Sequence, residues 1–123
     1  MNYEDLEIWK QANELVGIIH TMTLNDLPKF EMFETGSQIR RSMKSLKANI
    51  VEGFGRRHYK NEFIHFLVIA QASNDETIDH LKTLYTTKSL TDQLKYTDCL
   101  KKLESLGKKL NLFTQAVRKN HKS

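Results

Sequence analysis

The sequence predicts an all-α fold, an antiparallel up-down-up-down four-helix bundle. Three observations carry that expectation. Apolar residues recur at three- and four-residue spacing in four separate stretches, the only proline is Pro28, and no stretch alternates apolar and polar residues with the period of two that a half-buried strand requires. Nor does any segment repeat at the fixed spacing of a solenoid. Short turns between long helices force sequential neighbours to reverse direction, hence the antiparallel order.

The first helix should run over about 5–22, with Ile8, Trp9, Ala12, Leu15, Val16, Ile19 and Met22 on one face. It must end before Pro28, whose ring disfavours a helical Leu27, and Asn25 and Asp26 are turn formers. Residues 23–30 therefore read as a loop. The second helix, about 31–54, places Ile39, Met43, Leu46, Ile50 and Phe54 on a single stripe. On one flank Ser42, Ser45, Asn49 and Gly53 are small enough for another helix to approach closely, and the other flank carries Arg40, Lys44 and Lys47. Gly55 is expected to end this helix in the left-handed conformation, with Arg56, Arg57 and His58 forming the connection.

The third helix, about 59–87, faces inward with Phe63, Phe66, Leu67, Ala70, Thr77, Leu81, Leu84 and Tyr85. Ile64, Val68, Ile69 and Ala72 add apolar residues on its other faces, so its first half is apolar almost all round. Such a helix must be covered all round, and in a small bundle a second subunit is the natural cover. Phe63, Ile64, Val68, Ile69 and Ala72 are accordingly the candidate oligomer interface. Asn74 interrupts the inward stripe beside Ser73 and Thr77. A buried amide left unpaired costs about 1–3 kcal/mol, so it should hydrogen-bond across the core, with Asn13 or Asn49 as candidate partners. A register-setting polar layer is preferred there over a binding site.

Turn and capping residues over 86–91 precede a fourth helix, about 92–120. Its stripe is Tyr96, Cys99, Leu100, Leu103, Leu106, Leu110, Phe113 and Val117, with Gly107 as a close-contact point and Lys101, Lys108 and Lys119 on a different face. Residues 121–123 are expected to fray.

At 123 residues, 39% hydrophobic and 28% charged, the chain suits one soluble domain over 1–123, able to bury about two-thirds of its unfolded surface. The longest apolar run, Phe66 to Ala70, is far short of the roughly 20 residues of a membrane span, and the acidic start is no signal peptide. The expected location is the cytoplasm, with no membrane partner. Cys99 is the single cysteine, which excludes an internal disulfide and suits a small core hydrophobe.

Catalytic chemistry finds little to work with. A carboxylate-bridged di-metal centre needs Glu-x-x-His on two helices plus a Glu from each of the others, and only Glu62-Phe-Ile-His65 has that spacing. Glu76 and His80 stand four apart, also off the core stripe, and neither His20 nor His121 completes a set. Cys99 lies on an apolar stripe without a histidine near it in sequence. Gly53-Phe-Gly55 is too short to cradle a nucleotide. The expectation is no enzyme, no metal and no cofactor.

Charge is distributed unevenly. Residues 1–34 hold two lysines against seven acids, residues 35–66 hold seven basic residues against two acids, and residues 99–123 hold seven against Glu104 alone. Arg40, Arg41, Lys44 and Lys47 along the second helix, with Arg56, Arg57, His58 and Lys60 at its end, could follow the phosphates of RNA or DNA without reading sequence. The same residues could serve as a solubilising surface, or pair with the acidic first helix of a neighbour.

The residues also carry a family resemblance. Asp5-Leu6-x-x-Trp9-x-x-Ala12, Gln38-Ile39-Arg40-Arg41 with Ala48-Asn49-Ile50-x-Glu52-Gly53, and Glu62-Phe63 with Phe66-Leu67 resemble the four-helix bundle proteins encoded in intervening sequences of bacterial 23S ribosomal RNA genes. The likeness covers the whole chain in length and order of elements. It implies a compact bundle assembled as a ring-shaped homopentamer with no established catalytic activity. More distantly similar is the accessory variability protein of diversity-generating retroelements, which binds nucleic acid and a reverse transcriptase. That likeness implies nucleic-acid contacts at Arg40, Arg41, Arg56 and Arg57. The chain departs from the family pattern at Lys47, where many members have proline, and at Asn74 to Thr77, where a small or apolar run is usual. The combined reading is a non-enzymatic homo-oligomeric assembly or adaptor module whose protein partner is not specified. The alternative is an accessory protein that binds RNA or DNA through its basic surface.

Overall fold

In a computed structural model that describes residues 1–120, Asn2 caps the start of the chain. Its side chain accepts the Glu4 amide at 2.8 Å while its own amide donates to the Asp5 carboxylate at 3.0 Å, winding Tyr3–Asp5 into a 3-10 turn. Four helices follow: α1 at Glu7–Asn25, α2 at Thr35–Gly55, α3 at Lys60–Thr86 and α4 at Gln93–Asn120. The described residues contain no strand. The expected fraying falls on residues 121–123, outside the described residues.

Contacts between helices fix the topology. Thr23 meets Arg40 and Asn13 meets Lys47, Ser42 meets Thr77 and Ser45 meets Ser73, Asn74 meets Leu103 and Tyr85 stacks on Tyr96, Asp26 meets Lys95 and Glu14 meets Lys102. In every pair the numbers rise on one helix as they fall on the other, so each helix is antiparallel to both neighbours. The core lies on the common axis. Leu15, Ile19, Ile39, Met43, Leu46, Ile50, Leu67, Leu81, Leu84, Leu103 and Leu106 are fully buried and belong to one cluster. Trp9, Val16, Tyr96, Leu100 and Phe113 are half-buried and pack on its edge.

Two boundaries differ from expectation. Helix α1 continues to Asn25, where the Asp26 amide still reaches the Met22 carbonyl at 2.9 Å, and residues 29–33 form a separate 3-10 turn before α2 starts at Thr35. The cause is Glu31. Only 3% exposed, its carboxylate accepts the Gly36 amide at 3.2 Å and the Ser89 hydroxyl, so it caps α2 and ties the α1–α2 connection to the α3–α4 connection. Gly55 does not adopt the left-handed conformation. It stays helical, and the Arg56 and Arg57 amides close short turns onto Gly53 and Phe54 at 3.0 and 3.1 Å. The left-handed residue lies after α3 instead, at Lys88 with φ 64°.

Small residues decide the closest seam, between α2 and α3. The Ser42 and Thr77 hydroxyls meet at 2.8 Å and those of Ser45 and Ser73 at 3.2 Å, while a Cβ on Gly53 would lie 3.1 Å from the Phe66 Cβ. Asn74 is 1% exposed, and its partner is neither Asn13 nor Asn49. Its Nδ2 donates to the Leu103 carbonyl of α4 at 3.1 Å, an acceptor that a side-chain pattern cannot indicate.

Candidate functional site

Helix α3 brings the five residues of the expected interface together, but not on one face. Phe63 is only 5% exposed and packs edge-to-face on Phe113 with ring centres 5.9 Å apart, so it belongs to the core of its own chain and is not available to a neighbour. This corrects its place in the interface. Ile64 is partly buried against the core and Ile69 is half-buried, whereas Val68 is 46% exposed and Ala72 is exposed. Exposed apolar side chains at Val68 and Ala72 lie one turn apart on the outer side of α3.

The seven basic candidates divide into two groups, because Arg40 and Arg56 are separated by roughly 24 Å of helix. Four have partners within the chain. Arg40 donates to the Thr23 hydroxyl and to the Met32 carbonyl, each at 2.9 Å, bracing the turn before α2. Lys47 donates to Asn13 Oδ1 at 2.8 Å and lies 5.4 Å above the Trp9 ring. Arg56 pairs with Glu52 at 2.9 Å and Glu62 at 2.8 Å, and hydrogen bonds first to Glu52 and then to Glu62 raise its pKa. Arg57 donates to the Phe54 carbonyl at 3.0 Å and covers the Phe54 ring. Arg41 and Lys44 are exposed and Lys60 is half-buried, none with an ion pair or hydrogen bond from its side chain among the described residues. Arg41 and Lys44 project from α2 one turn from each other.

The Glu62 carboxylate is held by Arg56, and exposed His65 stands edge-on to Phe66. Glu76 and His80 approach to 3.9 Å. Among the described residues no group of three His, Cys, Asp or Glu is placed to hold a metal ion, and His121 lies outside them. None of the described helices is long and apolar enough to cross a membrane.

Periodicity gave no sign of an open groove of about 530 Å³ between α1 and α4. Ile18, Met22 and Thr21 line it, Cys99 lies at its floor, and Glu14, Asp26, Asp98 and Lys95 edge it. Gly17 leaves it open, since nothing lies within 4 Å of where its Cβ would be. A glycine on the exposed side of an otherwise regular helix was the available signal. Burial, with Asp98 adding to it, pushes the Cys99 thiol up to about 11, which keeps it a neutral, weakly nucleophilic group. Across the groove Lys95 bonds Asp26 at 2.8 Å and Lys102 reaches Glu14 at 3.4 Å, while along α4 Lys102 also pairs with Asp98 at 3.4 Å. The hydrogen bond to Asp26 raises the pKa of Lys95, and Asp98 and then Glu14 raise that of Lys102.

Four antiparallel helices with a basic α2 and a half-apolar α3 outline a known kind of bundle, and a family model described as "23S rRNA-intervening sequence protein" matches residues 4–112. The chain belongs to that family. Among solved structures this intervening-sequence family member is similar to a protein of unknown function from the S23 ribosomal protein family of Bacteroides thetaiotaomicron VPI-5482. The TM-score is 0.79 at 24% identity, over 88% of this chain and 98% of the other. At that identity the likeness concerns the fold. No curated protein matches the chain.

Proposed function

We propose that this intervening-sequence family protein is a non-enzymatic bundle that acts by assembling with copies of itself, as an assembly or adaptor module in the form of a ring-shaped homopentamer. The observation that carries the reading is the outer side of α3. Val68 is 46% exposed and Ala72 is exposed beside half-buried Ile64 and Ile69, after the chain's own core has taken up Phe63, Leu67 and Ala70. Apolar side chains grouped on one helix face mark a contact surface more often than scattered ones do. Light scattering at micromolar concentration tests it. A mass several times 14.4 kDa is expected, and a single-chain mass would remove the reading.

A second reading, an accessory protein binding RNA or DNA through its basic surface, draws on exposed Arg41 and Lys44, whose side chains no carboxylate among the described residues neutralises. Binding to structured RNA should then weaken steeply with salt, and replacing both residues by Ala should weaken it further. Unchanged binding in that double variant would leave Arg41 and Lys44 as ordinary surface.

A further inference from the structure

We propose that neighbouring copies of this chain meet through the outer ridge of α3 on one copy and the outer ridge of α4 on the next, apolar end to apolar end and acid to lysine. The inference rests on the oligomeric reading above and specifies its contact surfaces. The ridge of α3 changes character halfway along: exposed Val68 and Ala72 give way to exposed Asp75 and Asp79. The ridge of α4 presents Lys101, Lys108 and Leu112, all exposed, with Leu112 at 64%. Neither lysine and neither aspartate has an ion pair among the described residues. One helix thus offers apolar then acidic surface, and the other offers basic then apolar surface.

Height is what makes the match specific. Within one chain Asn74 bonds Leu103, a Cβ on Gly107 would touch Asn74 and Gln71, Phe63 meets Phe113 and Tyr85 stacks on Tyr96. Those pairs put Val68 level with Leu112 and Asp79 level with Lys101, with Asp75 between the levels of Lys101 and Lys108. A rotation about an axis parallel to the bundle, with no shift along it, sets α4 of one copy antiparallel to α3 of the next at these same levels. The operation that closes a ring therefore seats Leu112 on Val68 and Lys101 on Asp79, and brings Lys108 within about one turn of Asp75, close enough for its long side chain to reach. A shift of about 10 Å, two helical turns, would press Leu112 against acid instead. Glu104 stands level with Glu76 to one side of the α4 ridge, and the two lysines outnumber it.

Charge reversal tests this. Asp75→Lys with Asp79→Lys in one variant, and Lys101→Glu with Lys108→Glu in another, should each reduce the mass in light scattering to 14.4 kDa. Each variant alone sets like charge against like, but an equimolar mixture restores opposite charges wherever the two variants meet, which is four of the five contacts in a five-membered ring, and should regain a mass severalfold higher. Unchanged helicity by circular dichroism distinguishes a lost contact from a lost fold. Either variant keeping the wild-type mass, or a mixture that stays at single-chain mass, would overturn the α3–α4 contact while leaving the oligomeric reading in place. Wild-type protein at single-chain mass would remove both.

Discussion

Glu31 and Gly36 form a latch in which each residue depends on the other. A Cβ at Gly36 would collide with the Glu31 carbonyl oxygen, and the amide freed by that close approach is the one the Glu31 carboxylate holds at 3.2 Å. Gly36→Ala should therefore lower stability by about 1–3 kcal/mol by forcing the turn away from α2. Glu31→Ala should cost a similar amount, about 1–3 kcal/mol, by leaving the Gly36 amide and the Ser89 hydroxyl unpaired. Urea unfolding would measure both, and if each single change costs about as much as the two together, the residues act as one device. None of this was legible in the sequence. An acid at the expected start of a helix reads as solvated surface, and its partner Ser89 lies 58 positions away. Cys99 was legible, because it falls on the apolar stripe of α4, and its 2% exposure agrees. Burial raises its folded pKa to about 11 from an unfolded value of 9.0, so it contributes stability that is fully present below about pH 9 and lost as pH rises towards 11. At pH 8 a thiol reagent should label native protein far more slowly than unfolded protein, and equal rates would contradict the buried setting.

Among the helical elements, glycines separate three situations that look alike in sequence. At Gly53 α2 and α3 approach closely, and the flank Ser42, Ser45, Asn49, Gly53 announced that seam because small residues at helical spacing leave a groove. Gly107 was also legible as a contact point, although not its partner: a Cβ there would lie 2.8 Å from Asn74 Nδ2. Gly107→Ala should displace that amide from the Leu103 carbonyl and cost about 1–3 kcal/mol. Gly17 is the opposite case. Its Cβ would meet nothing within 4 Å, so Gly17→Ala should raise stability by about 0.5–1 kcal/mol through helix propensity alone. Thermal melts of the two variants should move in opposite directions, and a loss at Gly17 would mean that the groove beside it is occupied in solution. The end of α2 was placed to within a residue, but its conformation was not. Gly55 suits a left-handed cap, but short turns onto Gly53 and Phe54 satisfy the end of the helix while it stays helical.

Over the whole molecule, the core stripes were legible because burial imposes a period of 3.6 on every helix, whereas the outer faces obey no such rule. That is why Ile39, Leu46, Leu67 and Leu103 could be placed from the sequence, while the partners of Arg40 and Lys47 and the α1–α4 groove could not. The same asymmetry governs how the bundle should open. The α2–α3 hairpin is joined by buried hydroxyl pairs and a close glycine contact, but α1 meets α4 across an open groove of about 530 Å³. The ion pairs spanning that groove, Lys95 with Asp26 and Lys102 with Glu14, are largely exposed and screened by solvent, and pairs of that kind hold helices together only weakly. Helix α4 also packs on α3 through Asn74 and Phe113, and its outer ridge is covered in the proposed contact between copies. Helix α1 packs on α2, where Arg40 holds Thr23 and Lys47 holds Asn13, but the proposed contact between copies leaves its outer face uncovered, so it should detach before the rest unfolds. Native-state hydrogen exchange in low denaturant should show the amides of α1 opening at a lower free energy than those from Ile39 to Ile50 and from Leu67 to Leu81, which should exchange only with global unfolding. Diluting the protein until any assembly dissociates should then bring α4 down towards α1 and leave the α2–α3 hairpin unchanged. Equal protection of α1 and α2 would show that the open seam is no weaker than the closed one.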